Sequence, residues 1–481
     1  MSLQLVESPQ ALYHPLPHHS DSRTPSDDLA TEQLVLHPPS PLVDARVRWI
    51  HFIMGCAVLL PWNVIITATP FFLSRLVGSP MKSTFASYLS SSFNAANFIF
   101  LAHATATTKH TSPSHQVRIA IIWLIVLTSL LTFSTFIVPS SGVFTFFVLF
   151  NGAAQAAAGA YLQTSVVAVA SLFGPPAVQA MMSGQAAVAV AVSGVQVLSA
   201  AASVHGRPST YVSDGSAEER SAFIFFLLST IFLIFSAMVY SWLVRTPVYA
   251  RVAAPLEQQS RKISNEVVNS SEQIGLVSSR PTGLSDENAN AAIRVAKANV
   301  TYEVAVAYVF VVTLAVYPAI TTSIQSTNPD IHPLLFSSTH FLVFNIGDFL
   351  GRYTCSYPIF LIWSAKHLLT LSVARTLFIP VFLMCNVQRP SIVPSSPVIS
   401  SDFFYMAILF AFGWSNGYVS SLCMMSAPSL EHNPRLKGRV EDVDTAATVA
   451  SFCLVGGLAL GSIASFAVRA AICNCNPFTT S

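Results

Sequence analysis

The sequence predicts an all-α, multi-pass membrane protein of eleven transmembrane helices, split by one long polar loop into bundles of six and five. Three observations carry that expectation. Of the 481 residues, 52% are hydrophobic and only 10% are charged, whereas soluble domains carry about a quarter charged residues. The apolar residues form long blocks with few charges, each able to cross a hydrocarbon core of about 30 Å. Between the sixth and seventh blocks lies one stretch rich in Ser, Asn, Gln, Glu and Arg.

The elements follow in order. Residues 1–48 form a tail (YHPLPHHSDSRTPSDD) too polar to bury a core, expected to be disordered and cytoplasmic. No cleavable secretory signal precedes the first apolar block. Helices are expected over 49–73, 84–105, 118–138, 142–172, 177–203 and 221–244, the N-terminal bundle of residues 49–244. A largely disordered cytoplasmic loop, 245–302, leads to helices over 303–325, 335–360, 367–387, 403–427 and 444–470, the C-terminal bundle of residues 303–470. Only the stretch Ser364–His367 separates the eighth helix from the ninth. Residues 471–481 make a short outer tail.

Lysine and arginine placement sets the orientation. With the N-terminus inside, sixteen fall on the inner side. Six fall outside: Arg75, Lys82, Arg207, Arg220, Arg389 and Arg469. The positive-inside rule then places the N-terminus in the cytoplasm and the C-terminus outside it. The sequons at Asn269 and Asn299 lie on the inner side and are not expected to be glycosylated. The membrane is either the plasma membrane or a vacuole- or lysosome-like endomembrane.

Composition also excludes. The net charge of +2 says nothing about nucleic acid, but no basic cluster interleaved with aromatics appears, so no nucleic-acid partner is expected. Five of the seven cysteines fall inside apolar blocks and no CxxC occurs, so neither a disulfide framework nor a zinc site is expected. HExxH and P-loop sequences are missing, so the chain is not expected to be an enzyme or to need a cofactor. The lipid bilayer is its surroundings, and no obligate protein partner is evident.

Polar residues inside apolar spans are where chemistry is to be sought. In HFLVFNIGDFLGRYTCSYPIFLIW, Asp348 and Arg352 are four apart and so share a helix face, which Asn345 extends. They pair, and either hold helices together or line a hydrated path. His340, eight before Asp348, reads as an interfacial histidine. In LLPWNVIITATPFF, Pro61 is expected to kink the first span and aim Trp62 and Asn63 into the bundle. Leu59, Trp62 and Ile66 fall on one face. Gln163 of the fourth span either bonds to another helix or reads a heteroaromatic edge. Arg375, in the ninth span, is expected near the inner surface, snorkelling. Small residues at four-residue spacing, Gly457, Gly461 and Ser465 in the last span and Gly152, Ala156 and Ala160 in the fourth, mark close helix packing.

Together these residues resemble the equilibrative nucleoside transporters. The motifs are PWN in the first span, GxxxQ ending at Gln163, MSGQ in the fifth and FNIGDFLGR in the eighth. ARxxFxPxxxxCN in the ninth, SNGYxxSLxM in the tenth and GLALGSxxSF in the eleventh complete them. The resemblance implies a major-facilitator-like fold whose two bundles rock about a central site. It implies facilitated transport of purine and pyrimidine nucleosides by alternating access, with nucleobases as a further substrate class. Proton-coupled uptake with Asp348 as the proton carrier is an alternative, and a nucleoside-binding membrane receptor is another. By the same resemblance, Leu59, Trp62, Asn63 and Ile66 lie against the nucleoside and Gln163 bonds the base. Asp348 and Arg352 hold the ribose hydroxyls with Asn345 beside them, and Leu458 adds an apolar wall. Vicinal hydroxyls suit a carboxylate beside a guanidinium, and a flat base suits apolar walls with one amide. Gly347, where some relatives carry a bulky residue, is expected to widen the site.

Overall fold

A helix stands at each of the eleven expected positions in the computed structural model. It describes residues 44–473 apart from 77–81, 83–84, 108–111, 206–215, 255, 259–282, 318–319 and 388–397. The N-terminal tail to residue 43 and the C-terminal tail from 474 lie outside the described residues. α1 (Ala45–Thr67) runs through Pro61 and ends at Ala68. A short helix, Thr69–Ser74, follows with Pro70 in its first turn, where a missing N–H leaves no bond unmade. Then come α2 (Phe85–Thr107), α3 (Pro113–Ser134), α4 (Ser141–Leu172), α5 (Pro175–His205) and α6 (Ser216–Val244). The second half holds α7 (Gly283–Val316), α8 (Pro333–Thr354), α9 (Ala365–Ala374), α10 (Asp402–Ser426) and α11 (Val443–Cys473). Nine stretches among the described residues are long and apolar enough to cross a membrane, counting α1 with the short helix as Ala45–Ser74 and α9 with its continuation as Ala365–Leu383, α2 and α10 being the exceptions.

Two boundaries differ from expectation. The loop expected over 245–302 is helical again from Gly283. The signal was present in the sequence: Ala291, Val295, Asn299 and Tyr302 recur at helical spacing and are all buried. Asn299 is fully buried and donates to the Ala427 carbonyl at 3.0 Å, so its sequon is not accessible. The ninth span is broken: α9 tightens into a 3-10 turn at Arg375–Leu377 and resumes as Phe378–Leu383. Pro380 lacks the N–H and crowds the preceding turn, which accounts for the break.

The helix pairing repeats itself six positions on. α1 packs on α5 as α7 packs on α11, α2 on α4 as α8 on α10, and α3 on α4 as α9 on α10. Between bundles, α5 meets α8 as α11 meets α2, and α4 meets α11 as α10 meets α5. This is the pattern of two pseudo-symmetric bundles. α6, which packs on α1 and α3, has no counterpart among the described helices.

Backbone approach explains the tightest of these pairs. Gly347 and Gly351 of α8 face Gly413 and Gly417 of α10. A Cβ on Gly351 would strike the Trp414 carbonyl, and one on Gly417 the Asp348 carbonyl. With no side chain between them, the two backbones touch. The small-residue stripe of α11 serves the same end, since Gly457 meets the carbonyl of Ala307 on α7.

The apolar core is continuous at one end only. Where α1 begins and α4 ends, one cluster unites both bundles, from Val47–Val58 and Ala160–Phe173 to Tyr302–Phe310 and Ala447–Val455. Towards the other end the core divides. One cluster stays within the N-terminal bundle (Val64–Phe93, Phe144–Ala156). The other stays within the C-terminal bundle (Val312–Ile324, Phe336–Phe344, Tyr405–Phe412).

Candidate functional site

The expected site residues lie at the level where the shared core divides. On α1 the shared core ends at Val58 and the N-terminal cluster begins at Val64, and Leu59, Trp62 and Asn63 fall between them. Ile66 follows one turn on. On α8 the C-terminal cluster ends at Phe344 and the shared core resumes at Cys355, bracketing Asn345, Asp348 and Arg352. Leu458 stands one turn beyond Leu454 and Val455, half-buried against the shared core.

Asp348 and Arg352 are both buried, 7% and 6% exposed, and form an ion pair of 2.8 Å from Arg352 Nε to Asp348 Oδ2. The helical spacing sets this geometry, and the glycine contact sets what surrounds it. With α10 drawn close, Asn416 donates from Nδ2 to Asp348 Oδ1 at 2.6 Å. Arg352 reaches across to the other bundle, donating from Nη1 to the Met182 carbonyl of α5 at 3.2 Å. Gln179 of α5 donates to the Arg352 carbonyl at 3.0 Å. Asn345 donates to Ser193 Oγ of α5 at 3.2 Å and more weakly to the Ala189 carbonyl at 3.4 Å. Gln163 donates to Ser451 Oγ of α11 at 2.9 Å. Three of the expected site residues thus bridge the two bundles.

The α1 residues behave differently. Leu59, Trp62 and Ile66 are half-buried. Trp62 rests on Phe93 of α2, ring centres 4.8 Å apart. Asn63 does not reach outward: its Nδ2 donates to the Leu59 carbonyl of its own helix at 2.9 Å. The principal neighbours of α1 are α4, α5 and α6, so this set shares a level with the α8 pair rather than a contact.

Three expectations change. Arg375 does not snorkel. It is 2% exposed, its guanidinium lies 4.6 Å from the Phe412 ring centre, and it donates to the Phe412 carbonyl at 3.1 Å, to Thr313 Oγ1 at 2.7 Å and to Ser415 Oγ. Thr313 in turn donates to Asn416 Oδ1 at 2.7 Å. A second guanidinium therefore stands behind the amide that holds Asp348. Gly347 does not widen the site, because it faces the α10 backbone at the Phe410 carbonyl, 2.5 Å from where a Cβ would sit. His340 is not interfacial: it is 1% exposed and packed against Phe341 and Tyr317, at 4.1 and 5.8 Å between ring centres. Sequence reasoning missed Gln179, Ser193 and Ser451 as bridging partners. Each is a small or amide side chain on a helix face, and only the pairing of helices singles it out.

The family model described as Nucleoside transporter matches residues 152–470. The chain belongs to the nucleoside transporter family. Equilibrative nucleoside transporter 1 of Rattus norvegicus is 27% identical over 470 residues, covering 88% of this chain and 96% of that protein. The Homo sapiens protein of the same name is 26% identical over 477 residues, with the same coverage. Equilibrative nucleoside transporter 2 of Homo sapiens is 35% identical over 166 residues, 34% of each chain. Among solved structures, the major facilitator superfamily transporter FucP in its outward conformation superposes with a TM-score of 0.52. It covers 89% of this chain and 93% of that one at 12% identity, which shows a shared fold. The matched segment contains Gln163, Asn345, Asp348, Arg352 and Leu458, while the α1 residues precede it.

Proposed function

We propose that this protein carries nucleosides across a membrane by facilitated diffusion, its two bundles rocking about the level where the shared core divides. One observation supports the reading most. Residues able to bind a sugar and a base converge, from α1, α4, α8 and α11, on the level at which one apolar core becomes two. A carrier needs its site there, closed on one side and open on the other.

The roles follow from chemistry. Asp348 keeps lone pairs for ribose hydroxyls beyond those used by Arg352 and Asn416, and Arg352 Nη2 has no partner among the described residues. Asn345 steadies this end against α5. Gln163 meets the base and exchanges Ser451 for it. Leu59, Trp62, Asn63, Ile66 and Leu458 supply the walls. The substrates are purine and pyrimidine nucleosides. α2 and α10 also cross the membrane, because they pack along α4 and α8. The end where α1 begins faces the cytoplasm, as the distribution of lysine and arginine requires. Purified protein in liposomes loaded with unlabelled uridine should accumulate labelled uridine transiently. Saturable binding without exchange would make the protein a receptor instead.

A further inference from the structure

A second carboxylate lies in the membrane region with no cation to pair it among the described residues. Glu303 of α7 is 5% exposed, and neither of its oxygens has a hydrogen-bond partner among the described residues. The groups that face it are thiols: Cys453 of α11 and Cys423 of α10. Beside it on α7, Tyr302 donates its hydroxyl to the Trp363 carbonyl at 2.7 Å. Arg435 lies over the Tyr302 ring at 5.7 Å and donates to Thr301 Oγ1 at 2.9 Å, so it is committed elsewhere. On α9, Lys366 and His367 are exposed and Leu368 is buried. On α2, His103 is bonded to Tyr161. The carboxylates of the α10–α11 corner, Asp442 and Asp444, stand at the beginning of α11, and Asp442 pairs with Arg294 at 2.7 Å.

Position makes this carboxylate consequential. Cys453 directly follows Ser451, which accepts from Gln163, and Phe452, which stacks on Phe98 of α2 at 5.4 Å. Glu303 therefore sits behind the strip of α11 that joins the bundles. Among the described residues an ionised carboxylate there would meet no counter-charge and no donor other than thiols, which disfavours the charged form. A neutral carboxyl group fits the same space.

We propose that Glu303 is a proton-binding site that reports on this junction. Its carboxylate takes a proton from solvent when the α4–α11 and α2–α11 contacts are closed. The proton returns to solvent when α11 moves away and water enters. Lower pH then favours the arrangement described here and slows the conformational cycle. The inference rests on the carrier reading but is tested separately from it.

The test is exchange of labelled uridine in liposomes with equal pH on both sides, scanned from about pH 5 to 8. Exchange at any one pH establishes the carrier. The pH profile addresses Glu303. The natural protein should change rate about fivefold or more across the range, the lower end of coupling between two sites, and Glu303→Gln should be flat. A natural profile that is flat, or one retained by Glu303→Gln, would overturn the proposal. Infrared spectroscopy gives a readout independent of transport. The protein at neutral pH should show a protonated-carboxyl band that shifts in heavy water and is lost in Glu303→Gln or, should that variant fold poorly, in Glu303→Met. Persistence of every such band in the variant that folds would equally overturn it.

Discussion

At the scale of single residues, the proposed site centres on a carboxylate held from both sides, by Arg352 at 2.8 Å and Asn416 at 2.6 Å. Asp348→Asn keeps the volume but removes the charge that a sugar hydroxyl and a guanidinium both need. A hydrogen bond to a charged group contributes about 1.5–3 kcal/mol. Ribonucleoside uptake should therefore fall about tenfold or more, and uptake of a free nucleobase much less. Equal losses would remove Asp348 from sugar recognition. Gln163→Ala should change the ranking of purine against pyrimidine substrates. Ser451→Ala, which removes only its partner across the junction, should leave that ranking intact and alter the rate. An unchanged ranking in Gln163→Ala, at normal membrane abundance, would show that the amide only ties α4 to α11. The Asp348–Arg352 pair was legible in the sequence because helical spacing alone brings the two together. Arg375 was not, because its position in the span suggested the surface, and only the break at Arg375–Leu377 turns it inward to Phe412 and Thr313.

At the scale of elements, two contacts make distinct predictions. The α8–α10 crossing depends on Gly351 and Gly417, where each missing Cβ lets a backbone carbonyl approach. Gly351→Leu should lower the thermal midpoint by several degrees and weaken transport, by an overpacking penalty of about 1–3 kcal/mol. Gly142→Ala, at a position with open space around it, should do neither. The second contact lies outside the spans. Glu257 caps α3, accepting from the Ser114 N–H at 3.1 Å and from the hydroxyls of Ser112 and Tyr249. Burial alone would raise its pKa, but these hydrogen bonds outweigh it and hold the carboxyl below the usual range. A depressed native pKa stabilises above the unfolded value, about 4.3, and that gain is lost as pH falls through the native one. Thermal midpoints should therefore fall with acidification below about pH 4, less steeply in Glu257→Gln. Helix positions and the small-residue stripes were readable from apolar runs and four-residue spacing. The early start of α7 was signalled by the spacing of Ala291, Val295, Asn299 and Tyr302, but Arg294 and Lys297 between them made the segment read as polar loop.

At the scale of the whole molecule, a single asymmetry organises the rest. One core binds the bundles where α1 begins, and two cores keep them separate beyond it. A division into two bundles was visible in the sequence as one long polar stretch, and the repeat of the helix pairing six positions on, for every described helix but α6, accords with it. Which end is joined was not visible, because it depends on contacts between helices far apart in the chain. Gln163 to Ser451 and Asn345 to Ser193 are examples. Those few hydrogen bonds, of about 1 kcal/mol each, are weak enough to break in each cycle, as alternating access demands. Uridine exchange in liposomes, without any imposed pH gradient, tests this account most directly. The account predicts a transient accumulation of labelled uridine driven by unlabelled uridine inside, abolished or severely reduced in Asp348→Asn. Saturable uridine binding with no exchange would contradict it.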